Sequence, residues 1–357
     1  MVKFRPLLAA LLILPVLGCA NFGYYSQAIN GQLEVAVRTR AIDDMLADPA
    51  VDATLKQKLA AVLQIRDFAT RELGLPDNHS YRAYADLKRP YVLWNVFATP
   101  ELSLKPKEWC FVVAGCNGYR GYFSEKSAEK FAEKLRADGH DVHVGGVTAY
   151  STLGWFRDPM FNTIIDRPAP DIAGLIFHEL AHQRVYAQGD TAFNESFAVA
   201  VELEGMRRWL QAKASPDEYE RYEARIKRRE EFAALALKHR DRLEMLYESG
   251  VSVADKRAGK MQIFAELRAE YQQMKAERWG GYAGYDGWFG QALNNAHLVS
   301  LGMYHRHVPA FQALLARHHG NLRAFYGAVE QIGQMPAIER VAALNAALPV
   351  ATLDPSL

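Results

Sequence analysis

The chain has 357 residues, half of them hydrophobic, and its 42 basic and 41 acidic side chains leave a formal net charge of +1. Such a balance gives no reason to expect nucleic acid or another polyanion as partner. The apolar content is enough for a substantial core, built as one large domain or as two packed subdomains.

Met1-Val2-Lys3-Phe4-Arg5 is a basic start, and the apolar run over residues 6–17 is too short to span a bilayer as a permanent helix. Val16-Leu17-Gly18-Cys19 resembles a bacterial lipobox. It predicts a signal peptide over residues 1–18 and lipidation of Cys19; an ordinary secretory signal with a chance cysteine is the alternative. Ala20 is not the aspartate associated with inner-membrane retention, so an outer-membrane anchor facing the periplasm is expected. Several fatty chains hold far more firmly than one.

Residues 24 to about 75 read mainly as helix, with Leu55, Leu59, Val62, Leu63 and Phe68 as a stripe and Gly74-Leu75-Pro76 as the stop. Residues 91–97 and 119–123 are predicted strands. Ser124 can cap a helix over residues 125–138, which Gly139 closes. Residues 141–144 and 147–150 again read as strand. Between these lie the only other cysteines, Cys110 and Cys116. An even pair in an exported chain predicts a disulfide, worth about 2 kcal/mol at most for so small a loop. A pair of zinc ligands is the alternative, and no further cysteines support it. A small sheet followed by helices gives the fold class α+β, mostly α-helical. The parts are an N-terminal one, 19–170, with helices and sheet, and a helical one, 171–357. Residues 150–156, just before the second part, form either a cleft rim that binds extended peptide or a packed aromatic loop.

His178-Glu179-Leu180-Ala181-His182 matches the H-E-x-x-H pattern. On a helix, positions four apart share a face, so His178 and His182 can grip one Zn²⁺. Glu179, about a quarter turn away, can act as base toward a water there. Asp171 is the expected N-cap, Ile172, Leu175, Ile176 and Leu180 the core stripe, and Gly189 the expected C-terminal stop. Two histidines and a glutamate on a largely buried helix are costly unless something satisfies them. For a third ligand, the metzincin pattern is excluded, because Val185 and Gln188 stand where it needs glycine and histidine. Asp190 or Thr191 can cap a second, antiparallel helix. His182 and Glu195 then lie at matching depth, roughly 6–8 Å from the turn, so Glu195 is the candidate ligand. Glu202, nearly two turns deeper, suits a partner of a ligating histidine. The plainer reading of Glu195 is a first-turn glutamate that favours the helix dipole.

H-E-L-A-H followed by D-T-A-F-N-E-S-F-A resembles the predicted aminopeptidase family of zinc-dependent bacterial lipoproteins, a family of glutamate-type zincins like thermolysin. Trp109-Cys110-Phe111, Gly115-Cys116, residues 119–123 and 149–156, Asp158-Pro159 and Asn294-Asn295-Ala296 resemble it too. The resemblance implies a zincin-like metallopeptidase, bound Zn²⁺ and a peptide substrate.

Residues 216 to about 248 and 252–277 are predicted to form a long helical hairpin turning at Gly250. Its expected seam sets Tyr222, Ile226, Phe232, Leu235 and Leu243 against Phe264, Leu267, Tyr271 and Met274. The basic run 225–229 reads as a solvated face. Residues 280–290, rich in glycine and aromatics, form a cleft wall or a packed connection. A helix over about 291–307 carries Asn294, His297, Leu301, Tyr304 and His305 near one face. Tyr304 and His305 are the candidates for stabilising an oxyanion, with Tyr186, His297 and His307 as rivals. The function expected is zinc-dependent peptide hydrolysis, as an aminopeptidase. An acidic group to hold a free amine is not identifiable, so a zinc endopeptidase of the cell envelope stays open, as does a non-catalytic peptide-binding or scaffold lipoprotein.

Overall fold

The computed structural model describes residues 19–111, 115–150, 152, 157–213 and 215–348. The chain opens with α1 (Cys19–Arg38), β1 (Thr39–Ala41), α2 (Ile42–Ala47) and α3 (Ala53–Leu73). Asp52 caps α3 by accepting from the Leu55 amide, and Gly74 closes it at φ 63°, a conformation that favours glycine. The stripe of α3, with Leu59, Val62 and Phe68, is buried as its spacing predicts.

The sheet region holds β2 (Ala83–Ala85), β3 (Leu93–Pro100), β4 (Trp109–Phe111), β5 (Gly115–Asn117), β6 (Arg120–Tyr122), α4 (Glu125–Ala137), β7 (His140–Val147) and β8 (Met160–Phe161). Central β3 pairs antiparallel with both β6 and β7. The strand predicted over 141–144 forms within β7, which pairs along the whole of β3; the one predicted over 147–150 does not form, because β7 ends at Val147. Side chains alternate along β3. Trp94, Val96 and Ala98 pack on Ala128, Ala132 and Leu135 of α4. Leu93 and Asn95 face the other way, into a cavity. Cys110 and Cys116 are paired across β4 and β5 and joined as a disulfide, as predicted. Of the candidate cleft rim, residues 151 and 153–156 lie outside the described residues.

The rest is helical: α5 (Asn162–Ile165), α6 (Ala169–Arg184), α7 (Thr191–Lys213), α8 (Pro216–Glu248), α9 (Val253–Glu277), α10 (Asp286–Phe289), α11 (Asn295–His305), α12 (Val308–Arg317), α13 (Leu322–Gly333) and α14 (Ala337–Ala347). The fold is therefore α+β and mostly helical. The α8–α9 hairpin forms, and Phe232, Leu235, Leu243, Phe264, Leu267, Tyr271 and Met274 share one core. Tyr222 and Ile226 do not join that seam; they pack in the main core with α6 and α7. The reason is length: α8 has 33 residues against 25 in α9, so its first turns overhang. The glycine-rich stretch is a packed connection, with Phe289 stacked on Tyr271 and Tyr285 on Phe232. The helix predicted over 291–307 begins later, at the Asn294 cap, and α12 starts anew at Val308.

Helices α6 and α7 approach closely because small residues sit between them. A Cβ on Gly205 would lie 2.7 Å from the Phe177 ring and 2.8 Å from Leu73. Gly205→Ala should therefore destabilise the fold by about 1–3 kcal/mol through overpacking. An unchanged midpoint in a urea titration would show that the interface yields freely.

Candidate active site

Helix α6 begins two residues before its expected cap. Pro168 occupies the N-cap and Ala169-Pro170 the first turn. Asp171 is not a cap; it is a first-turn acid that pairs with Arg225 of α8. The helix also stops earlier than Gly189, at Arg184, with Val185 extended. Gly189 still acts as a turn residue, at φ 76°. Asp190 is the cap of α7, accepting from the Phe193 amide at 3.0 Å, and its other oxygen receives Arg340 Nε of α14 at 3.0 Å. Buried Asn194 bonds both ways with the backbone of Ala187, at 2.7 and 2.8 Å. These contacts fix the turn between the helices, so that Glu195 stands opposite the histidines.

The predicted trio converges. His178 Nε2 lies 3.3 Å and His182 Nε2 3.5 Å from Glu195 Oε2. One donor atom from each residue falls within 4.8 Å of the others, a set that could hold a metal ion. Two imidazoles and a carboxylate fit zinc chemistry. Glu202 takes the supporting place read for it, with Oε2 3.3 Å from His178 Nδ1. Sequence reasoning missed what holds Glu202: Arg229 Nη1 donates to its Oε1 at 2.7 Å. The basic run is therefore not a solvated face, since Arg225 and Arg229 both turn inward to acids. His182 Nδ1 is buried and has no hydrogen-bond partner.

Electrostatics follow from this packing. Burial alone would lower the His178 pKa, but its hydrogen bonds to Glu195 and Glu202 outweigh that and push it up to about 10. Burial works to raise Glu195, yet the two histidines bring it down to about 2. Glu202 is likewise raised by burial and lowered, to about 2, by Arg229 and His178. Glu179 is shifted upward by burial, against the pull of His178 and His182.

The trio and Glu179 open into a cavity of about 450 Å³. Its walls are Leu93 and Asn95 of β3, Gly121 of β6 and Val147 of β7, with Tyr24, Ala28 and Gln32 of α1. Tyr150, the first residue of the candidate rim, lines it and donates to Gln32 at 2.5 Å. Tyr304 and Tyr186 line it as well. Glu195 is the largest influence on the Tyr304 hydroxyl, raising its pKa. His305 is not among the lining residues; it sits toward Arg229, Glu202 and His178, and burial first, then Arg229, hold its pKa down at about 4. His297 packs on His143, and the His307 amide bonds Ser196. Tyr119, quoted above only for its resemblance, lines the cavity and is raised by burial and by the Glu195 charge. Tyr81 was also missed. It is fully buried at φ 62°, its hydroxyl has no hydrogen-bond partner, and Glu179 is its strongest charged neighbour. Its loop is pinned to α6 through Gln183, which accepts from Asn78 at 2.6 Å and donates to Ser80 at 3.2 Å.

A family model described as "Putative aminopeptidase" matches residues 23–344, and the chain belongs to that family. No curated protein and no solved structure matches.

Cation binding at His178 requires the neutral imidazole. With a pKa of about 10, His178 holds a proton at pH 7 in the metal-free protein. Zinc binding at pH 7 should therefore release about one proton from this residue, and affinity should rise as pH rises toward 10. Titration calorimetry in two buffers of different ionisation enthalpy measures it; an affinity indifferent to pH would contradict the assignment.

Proposed function

We propose that this member of the family is a zinc metallopeptidase of the glutamate-ligand type, exported and held at the outer membrane by lipid on Cys19. The observation that carries the reading is the convergence of His178, His182 and Glu195 beside Glu179 at the floor of a cavity. The zincin-like assignment agrees with a small sheet placed ahead of the helix that carries the motif.

In this reading His178, His182 and Glu195 would hold the ion, and Glu202, braced by Arg229, would orient His178. Zinc supplies Lewis acidity, which acidifies a water and polarises a carbonyl. Glu179 would take the water's proton on its carboxylate and pass it to the leaving amine. Its buried setting raises its proton affinity, which suits both halves of that transfer. Tyr304 and Tyr119 face Glu195 from the cavity wall, so either hydroxyl can donate to the developing oxyanion. His305, set behind His178, is the weaker candidate. Asn95 lines the cavity, and its Oδ1 is buried without a hydrogen-bond partner.

The family description supports an aminopeptidase. An endopeptidase is the second reading, and it needs no acid for a substrate ammonium group: among the described residues lining the cavity, the carboxylates are Glu179 and Glu195. Neither is free to hold a substrate ammonium group.

Glu179→Gln should keep one zinc per chain and lower peptide hydrolysis by about 10²–10⁴-fold. Full activity in that variant would remove Glu179 from the mechanism. Glu202→Gln should weaken zinc by about 10–100-fold, and Glu195→Gln by more; the reverse order, read by chelator competition, would make Glu202 the ligand. Peptides with free and blocked N-termini, assayed side by side, separate the two specificities.

A further inference from the structure

Helix α1 has two unlike faces. Tyr24, Ala28 and Gln32 line the cavity. Gly31 packs so tightly beside them that an added Cβ would meet the Phe123 ring at 2.1 Å, and Val35 is buried. On the outer side Tyr25, Ile29, Leu33 and Val37 are 39%, 59%, 56% and 85% exposed. Their spacing of four places them along one arc of roughly 120°. From Gly23 to Val37, every exposed residue of this helix is uncharged. Exposed Ser26 lies within the arc and Asn30 at its border; the rest of the arc is an apolar stripe, of a kind that marks a surface covered in use.

What covers it is indicated by where the helix starts. Helix α1 begins at Cys19, so no linker separates the residue proposed to carry lipid from the folded body. Ile29 is roughly 15 Å along the axis from that residue and Val37 roughly 27 Å. Acyl chains at the first residue of a helix hold its start at the bilayer surface, which leaves the neighbouring stripe within reach of lipid. An uncharged face whose exposed polar side chains are Ser26 and Asn30 suits a headgroup–acyl boundary, where such groups meet headgroups and water.

We propose that the Tyr25–Ile29–Leu33–Val37 stripe docks on the lipid bilayer, so that α1 is both the membrane contact and a wall of the catalytic cavity. The proposal rests on the lipoprotein reading of Cys19. The cleft then lies about one helix diameter from the membrane.

The test uses the full mature chain in phosphatidylethanolamine–phosphatidylglycerol vesicles. A nitroxide on Leu33→Cys should collide with oxygen more often than with a water-soluble nickel chelate, and one on Lys126→Cys should do the opposite. A residue-33 label that behaves like the residue-126 label overturns the proposal. So does spin–spin broadening at residue 33, which would put a second copy of the chain on the stripe. Mass spectrometry of the N-terminal peptide tests the lipoprotein reading separately. If Cys19 carries no lipid, sedimentation of the chain with the same vesicles decides. Binding that falls about tenfold in Ile29→Glu/Leu33→Glu supports the docking; absence of binding overturns it.

Discussion

A carboxylate buried between two imidazoles is the interaction on which this arrangement depends. Glu195 reaches both His178 and His182 only because two long helices run antiparallel at close range. Gly205 makes room for that approach, and Phe177 fills the space it leaves. Burying so many ionisable groups together is unfavourable unless each finds an opposite charge or a donor. The chain supplies them in series: Arg229 to Glu202, Glu202 to His178, His178 to Glu195. His182 alone lacks a partner on its second nitrogen. The series ties the ring of one histidine at both nitrogens and leaves the other to be held by Glu195 and by packing.

What was legible in the sequence was local. His178, Glu179 and His182 sit within one helical turn, so spacing places them without knowledge of the fold. Glu195 was reachable because the connecting turn is short and helical rise converts residue counts into depth. Helix ends were less legible. Proline at 168 and 170 starts α6 ahead of Asp171, and Val185 leaves the helix before Gly189, whose positive φ serves the turn instead. Arg229 was illegible for a different reason. It lies 27 residues from Glu202, inside a basic run of the kind that usually faces water. Only the overhang of α8 beyond α9 lays that run against α6 and α7. Tyr81 carried no motif, and Tyr119 only a place in a resembling segment; the fold brings Tyr119 to the cavity and Tyr81 near Glu179 from positions distant in sequence.

The sheet contributes by alternation. One set of β3 side chains closes a small core with α4; of the other set, Leu93 and Asn95 wall the cavity and Phe97 joins the core of the helical hairpin. The same strand thus supports the fold and shapes the substrate space, and Asn95 is the polar exception on its cavity side. Membership of an aminopeptidase family and a wall poor in free carboxylates pull in different directions. The difference is chemical: an ammonium group needs a counter-charge, whereas a peptide N–H needs only an acceptor.

The tie between Asp190 and Arg340 has a consequence for the order of assembly. The turn that sets Glu195 against His182 is braced by a residue 150 positions further along the chain. A ribosome completes the two ligand helices well before it makes that brace. A nascent or half-translocated chain therefore carries the whole ligand set without the last helix that steadies it. Under the proposed function, full hydrolytic competence would arrive only once synthesis has reached that brace.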